Sequence, residues 1–238
     1  MIVAKFGGSS VASAEQFKKV KDIVLSNSER SVVVVSALGK KTPDDIKTTD
    51  LLYSLHSKLV KRKPYGDIYE TIKNNFYDIC DRLSLTIDMV AEFTELEDEF
   101  TPHISKDYII TCGEYFTAKM MANYLDYDFV DAVELIRFNE DGSVDKATTY
   151  SLIQKAIKLH PRMVVPGFYG AFSDGTVKAF PRGGSDITGA ILAAALNADC
   201  YENWTDVSGV LSADTRIIIG ARKISKISYA ELRELTYM

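Results

Sequence analysis

The sequence predicts a layered α/β fold with a mainly parallel sheet, and three observations carry the prediction. Segments of strand and helix character alternate along most of the chain, the pattern of sheets wrapped by helices. The run "SVVVVS" at 31–36 has no polar face, as in parallel strands buried on both sides. The first strand, the helix after it and that valine run together fit a βαβ unit, whose crossover is right-handed.

In order, "IVAKF" (2–6) reads as a short buried strand and "GGSS" as the turn that leaves it. "SAEQFKKVKDIVLSN" reads as a helix: Ser13 and Gln16 have capping-box spacing, and Phe17, Val20 and Val24 share a face. After the valine strand, residues 44 to about 126 are largely helical, with apolar residues three and four apart in "YETIKNNFYDICDRL" and "DMVAEFTELEDEF". "YLDYDFVDAVEL" returns to strand character, "TTYSLIQKAIKL" is an amphipathic helix, and "RMVVPGF" is a further buried strand. The Asp-Gly pair in "AFSDGTVKAF" signals a hairpin. "SDITGAILAAALNA" is an Ala-rich helix and "CYENWTD" a strand. "SYAELREL" opens on a second capping box, Ser228 with Glu231, and runs only two turns before "LTYM" without a C-cap residue, which reads as a chain cut short within an element.

Composition narrows the possible functions. The chain has 238 residues, 46% hydrophobic and 26% charged, with net charge −5. That suits a globular core and argues against a general nucleic-acid binder, which would be basic. Cys80, Cys112 and Cys200 lie far apart, no CxxC occurs, and the only histidines are His56, His103 and His160, so no zinc site or disulfide framework is expected and a reducing cytoplasm fits best. The opening residues lack the apolar core of a signal peptide, and no apolar run reaches the ~18 residues of a membrane span.

Ligands of open parallel sheets sit at the carboxyl ends of strands. Four polar clusters fall there: "KFGGSS", "SALGKKT", "PRGGSD" and "WTDVSG". Glycines let backbone N–H groups approach an anion, and a helix start adds partial positive charge, so together the clusters suggest a phosphate-bearing ligand. Each has a plainer reading as a turn, a solvated Lys40–Lys41 face, or a helix-start pair of Arg182 with Asp186. "GKKT" is not a Walker motif, because Val34 stands where its first glycine belongs, and no GxGxxG is present.

"AKFGGSSVAS", "VVVVSALGKKT", "TCGEYFTAKMMANYL", "PRGGSDITGAILAAALNAD" and "WTDVSGVLSADTR" resemble, in order and over nearly the whole chain, the aspartokinases of the amino-acid kinase family. The resemblance implies a three-layer αβα sandwich with a mainly parallel central sheet. It implies a single catalytic domain over 1–238, truncated at its C-terminus, with an amino-acid-binding lobe near 1–160 and an incomplete nucleotide-binding lobe near 161–238. It implies ATP-dependent phosphorylation of the side-chain carboxylate of L-aspartate, with Mg²⁺ held mainly through the ATP phosphates, as the entry to lysine, threonine and methionine synthesis. A cytoplasmic homo-oligomer without nucleic-acid or membrane partners is implied for the longer form.

Position by position, Lys5 resembles the family's phosphate-contacting catalytic lysine, and Gly7, Gly8 and Ser9 its phosphate loop. Ser36 and Thr42 match hydroxyl positions at the transfer and substrate site, and Glu114 the carboxylate that holds the substrate ammonium. Arg182 matches the arginine that grips a substrate carboxylate. Ser185 and Asp186 are its neighbours, with Asp186 orienting Lys5. Thr205, Asp206, Leu211 and Arg216 match nucleotide contacts. The chemistry suits these residue types: a carboxylate nucleophile with a pKa near ~3.9 needs no general base at neutral pH, so few histidines are required. The task is to position an anion beside an anionic phosphate and neutralise charge.

This chain departs from the usual family pattern at Pro181, where glycine is common, at Leu211, where tyrosine is common, and at Thr215, where proline is common. It also lacks the "GAKVLH"-like stretch and the regulatory ACT domains that follow in the family. Two alternatives stay open: a family member acting on a different acid, and an inactive amino-acid-binding fragment. Glu114 with Arg182 favours a free α-amino acid.

Overall fold

The valines of the second strand organise the sheet. In a computed structural model that describes residues 1–181, 183–206, 209, 220–228, 230 and 231, Val32 to Val35 are wholly buried. They lie in β2 (Arg30–Val35), which pairs in parallel with β1 (Ile2–Phe6) on one side and β4 (Met163–Pro166) on the other. β7 (Cys200–Trp204) joins β1 and β3 (Asp128–Phe129) joins β4, both in parallel, giving the order β3-β4-β2-β1-β7.

Alternation along the strands builds two cores, because successive side chains face opposite sides of a sheet. Ala4, Phe6, Val33, Val35 and Val164 face α1 (Ala14–Leu25), α2 (Thr48–Val60), α3 (Gly66–Leu83), α4 (Met89–Asp98) and α5 (Lys106–Leu125). Val3, Val32, Val34, Met163 and Val165 face α6 (Ala132–Leu135), α7 (Lys146–Leu159) and α8 (Gly184–Ala195). The result is the three-layer αβα sandwich expected from the sequence. Between β4 and α8 the Asp174-Gly175 turn closes the expected hairpin, β5 (Tyr169–Ala171) with β6 (Val177–Ala179), and Gly175 takes φ +87° there.

Both capping boxes supply their helix-start hydrogen bonds. Ser13 Oγ accepts the Gln16 N–H at 3.4 Å, and Glu231 N–H donates to Ser228 Oγ at 3.3 Å while Ser228 N–H donates to Glu231 Oε2 at 2.7 Å. The stretch "YLDYDFVDAVEL" carries less strand than its composition suggests. Tyr124 and Leu125 finish α5, Asp126 turns out of it at φ +58°, and only Asp128 and Phe129 pair as β3. Asp131 then caps α6 by accepting the Val133 N–H at 3.2 Å, and it also accepts the Tyr169 hydroxyl at 2.8 Å. A side chain that satisfies a helix start competes with continued strand pairing.

Residues Met1–Trp204 make one compact unit and Thr205–Met238 a second. Among the described residues no helix is long and apolar enough to cross a membrane. Within the first unit, the layer of α3, α4 and α5 is held by aromatic edges around Phe93, whose ring centroid lies 4.5 Å from Phe116, 5.5 Å from Phe76, 5.7 Å from Tyr77 and 5.9 Å from Tyr69. Phe93→Ala removes a ring at the centre of this cluster and is expected to lower unfolding stability by about 3–5 kcal/mol; urea denaturation followed by circular dichroism measures it.

Candidate active site

Lys5 sits near the carboxyl end of β1 with 7% of its surface exposed. An ammonium taken out of water this far needs a partner. It finds one in Asp186 of α8, whose Oδ1 lies 2.7 Å from Lys5 Nζ. Asp186 is not the cap of its helix: that position is Gly183, at φ +78°, and no side chain caps α8. The carboxylate is instead aimed across to the strand, and half of its side-chain surface remains open to solvent.

The loops that leave β1 and β2 touch backbone to backbone. Gly39 N–H donates to Gly8 O at 2.9 Å, and a Cβ on Gly39 would stand 2.5 Å from the Gly8 carbonyl carbon, so glycine is required there. Ser36 N–H extends the ladder to Phe6 O, and Gly7 N–H does so to Trp204 O, both at 3.1 Å. "KFGGSS" and "SALGKKT" therefore converge at one sheet edge, with Gly7, Gly8, Ser9 and Ser36 half-buried. Thr42 lies further out, in an exposed loop whose Lys41 and Thr42 N–H groups both donate to Asp45 Oδ2 at 2.8 Å. These bonds hold the Asp45 carboxyl below its ordinary range. Lys40 and Lys41 behave as a solvated face: Lys40 donates to Pro43 O, and Lys41 pairs with Asp78 at 2.8 Å.

Glu114 projects from α5 beneath the β2 loop. Gly113 beside it lets the helix approach, since a Cβ there would stand 2.8 Å from Ala37 Cβ. Glu114 is 5% exposed, and its Oε2 is buried without a hydrogen-bond partner. Burial pushes its carboxyl up to about 8, while a hydrogen bond with the Ala37 backbone pulls the other way. An unpartnered buried carboxylate oxygen is costly and suits a cation brought by a ligand.

The end of β4 completes the cluster. Ser185 is buried against Gly167, where a Cβ would meet its side chain at 2.6 Å. Thr188 Oγ1 accepts the Phe168 N–H at 3.1 Å and donates to Gly184 O at 3.1 Å. Phe168 holds φ +82°, a conformation that costs a non-glycine residue about 1–3 kcal/mol and that clusters at functional positions.

Of the residues singled out in the sequence, Gly7, Gly8, Ser9, Ser36, Ser185 and Asp186 belong to the loops and helix starts at this edge, Lys5 reaches it from β1 and Glu114 from the middle of α5. Thr205 and Asp206 belong to the second unit, where the Thr205 hydroxyl donates to Asp206 Oδ1 at 3.0 Å. Arg182, Leu211, Thr215 and Arg216 lie outside the described residues. Sequence reasoning missed Phe168, Tyr201 and Asn203. Tyr201 OH donates to Asp186 O at 3.2 Å, and Asn203 Nδ2 to Asp186 Oδ1 at 3.0 Å. The available signal was the period-two placement of two polar-tipped residues in "YENW", next to the strand that carries Lys5.

The model of the Amino acid kinase family matches residues 1–238. The chain belongs to the amino acid kinase family. Aspartokinase 3 of Bacillus subtilis is 37% identical over 251 residues, covering 100% of this chain and 55% of the relative. Among solved structures, the aspartate kinase of Clostridium acetobutylicum superposes with a TM-score of 0.94 at 43% identity, covering 99% of this chain and 55% of that one. E. coli aspartokinase III in complex with aspartate and ADP gives 0.83 at 28% identity, covering 100% and 56%. The chain spans about half the length of the curated relatives it matches.

In this member of the amino acid kinase family, the buried Glu114 is a source of instability. Its carboxyl titrates near 4.5 when unfolded and about 8 when folded. The folded state therefore holds a proton that the unfolded state has lost, and stability falls as pH rises from about 4.5 to about 8. Glu114→Gln keeps the shape without the charge. It is expected to match the parent near pH 4.5 and to exceed it by roughly 1–4 kcal/mol at pH 8.5, read from chemical denaturation across pH without ligands.

Proposed function

We propose that this chain is the catalytic part of an aspartate kinase, which transfers the γ-phosphoryl group of ATP to the side-chain carboxylate of L-aspartate and forms 4-phospho-L-aspartate and ADP. The observation that carries the reading is the buried Glu114 oxygen without a partner, at the same sheet edge as the Lys5–Asp186 pair and the glycine loops. Glu114 supplies the seat for the substrate ammonium. Arg182 grips the α-carboxylate, while Ser36, Thr42 and Ser185 line the amino acid. The relative from E. coli, crystallised with aspartate and ADP, supports the same pair of ligands here.

In the proposed reaction an oxygen of the aspartate side chain attacks the γ-phosphorus as the bond to the β,γ-bridging oxygen breaks, and the electron pair leaves with ADP. No proton has to be removed from the nucleophile at neutral pH. Lys5 offsets charge on the transferring group and Asp186 holds Lys5 in place. In the phosphate loop of Gly7, Gly8 and Ser9, the Gly7 N–H is held by Trp204 O, and Gly8 and Ser9 bring the backbone donors to the phosphates. Mg²⁺ carried on the ATP phosphates supplies further neutralisation, and the half-exposed Asp186 carboxylate is the acidic group of the site suited to face it. Thr205, Asp206, Leu211 and Arg216 contribute to the nucleotide. We assign the amino-acid lobe to about 1–160 and the nucleotide lobe to about 161–238. The longer protein acts as a cytoplasmic homo-oligomer that commits aspartate to lysine, threonine and methionine synthesis.

Hydroxylamine trapping of acyl phosphate, with ATP, Mg²⁺ and a panel of L-aspartate, L-glutamate and N-acetylglutamate, tests the proposal, with ADP release as the readout for UMP, whose product is not an acyl phosphate. Signal with aspartate alone is the expected result, and signal with another substrate instead would replace it. Lys5→Ala is expected to lower kcat by on the order of 10²–10³, the loss of one charge-stabilising donor; a loss under about tenfold removes Lys5 from the transfer step. Because ammonium binding requires an ionised Glu114, the aspartate KM should fall as pH rises towards about 8 and level off above it. In Glu114→Gln that dependence should disappear and KM should rise; steady-state kinetics across pH distinguishes the two.

A further inference from the structure

Three donors converge on one residue of α8. The register of β1 with β7 sets Val3 opposite Tyr201 and Lys5 opposite Asn203. Paired residues of neighbouring strands share a face. Val3 and Tyr201 both belong to the core on the α8 side, so Lys5 and Asn203 point the same way. Tyr201 OH holds the Asp186 carbonyl at 3.2 Å, Asn203 Nδ2 donates to Asp186 Oδ1 at 3.0 Å, and Lys5 Nζ meets that same Oδ1 at 2.7 Å.

We propose that Asn203 is a positioning residue for phosphoryl transfer, its amide fixing which oxygen of Asp186 faces Lys5 and thereby where the Lys5 ammonium stands. The inference rests on the kinase reading above and adds a residue to it. The terminal torsion of an aspartate is broad and roughly two-fold, so an ion pair alone does not choose between its oxygens. A second donor on Oδ1 does. The residue type is suited to the task. A cation at position 203 would compete with Lys5 for the carboxylate, and an anion would repel Asp186 and any incoming phosphate. A neutral amide orients the carboxylate without altering the charge of the site. Asn203 is exposed, so its removal leaves the core packing intact.

The test is a double-mutant cycle in the full-length protein, read by acyl-phosphate trapping. Asn203→Leu is expected to lower kcat about tenfold while the KM values for aspartate and ATP stay within about twofold, the pattern of an interaction made in the transition state. In an Asp186→Asn background the same change should cost nothing more, because coupled residues are non-additive. Asn203→Gln, which keeps an amide donor, should recover part of the loss. A readout without turnover is the rate at which acetic anhydride acetylates Lys5, followed by mass spectrometry. Asn203→Leu should raise it about threefold or more as the ion pair loosens. Unchanged kcat with unchanged labelling overturns the assignment, as does an equal loss of kcat in the Asp186→Asn background. If the parent protein yields no acyl phosphate with aspartate, the kinase reading fails by itself, and the labelling comparison still decides whether Asn203 places Lys5.

Discussion

The ammonium of Lys5 is the constraint around which this sheet edge is built. It stands on an interior strand, flanked by β2 and β7, with 7% of its surface exposed. A charge there is tolerated only with a counter-ion held at close range. That counter-ion comes from the helix packed on the same face, so α8 has to pack closely on the sheet. The small residues of the helix and of the β4 loop make this possible. A Cβ at Gly189 would meet the Tyr201 ring at 2.6 Å, one at Gly184 would meet Phe168 at 2.7 Å, and one at Gly167 would meet Ser185 at 2.6 Å. Gly189 within the Ala-rich "SDITGAILAAALNA" is thus a packing requirement rather than a helix preference.

Two ionisable groups at this edge are treated in opposite ways. Lys5 is paired within the protein, whereas Glu114 keeps one oxygen without a partner. Its neighbour on α5, Cys112, is pushed up to about 12 by burial and stays a neutral thiol at ordinary pH. Burial likewise raises Asp131, which nevertheless finds the Tyr169 hydroxyl. Glu114 therefore stands apart from the other buried groups of its layer: the protein surrounds it and leaves its compensation to whatever enters the site. Such an arrangement trades stability for recognition, a recurrent feature of binding sites.

Much of the fold could be read from local pattern. The valine run marked a strand buried on both faces, the Asp-Gly pair marked the hairpin, and glycines beside strand ends marked the loops that converge. What escaped was decided at long range. Asn203 and Tyr201 gain their meaning from the register between β1 and β7, strands almost two hundred residues apart in sequence, which no local periodicity encodes. The second half of "YLDYDFVDAVEL" formed α6 because Asp131 caps a helix and meets Tyr169. Glu114 gave no sign of its burial because α5 is enclosed on nearly every side and shows no single apolar stripe.

The hydrogen bond between Gly39 and Gly8 has a consequence for how two ligands would communicate. It joins the loop proposed to cradle phosphate to the loop proposed to line the amino acid, with no side chain between them to absorb displacement. Whatever one occupant imposes on its own loop is delivered to the other through main chain alone. Thermodynamic reciprocity then requires that nucleotide change the affinity for amino acid by the same factor as amino acid changes the affinity for nucleotide. The two glycines thus join the two half-sites through main chain into one coupled unit, so that neither loop can shift alone.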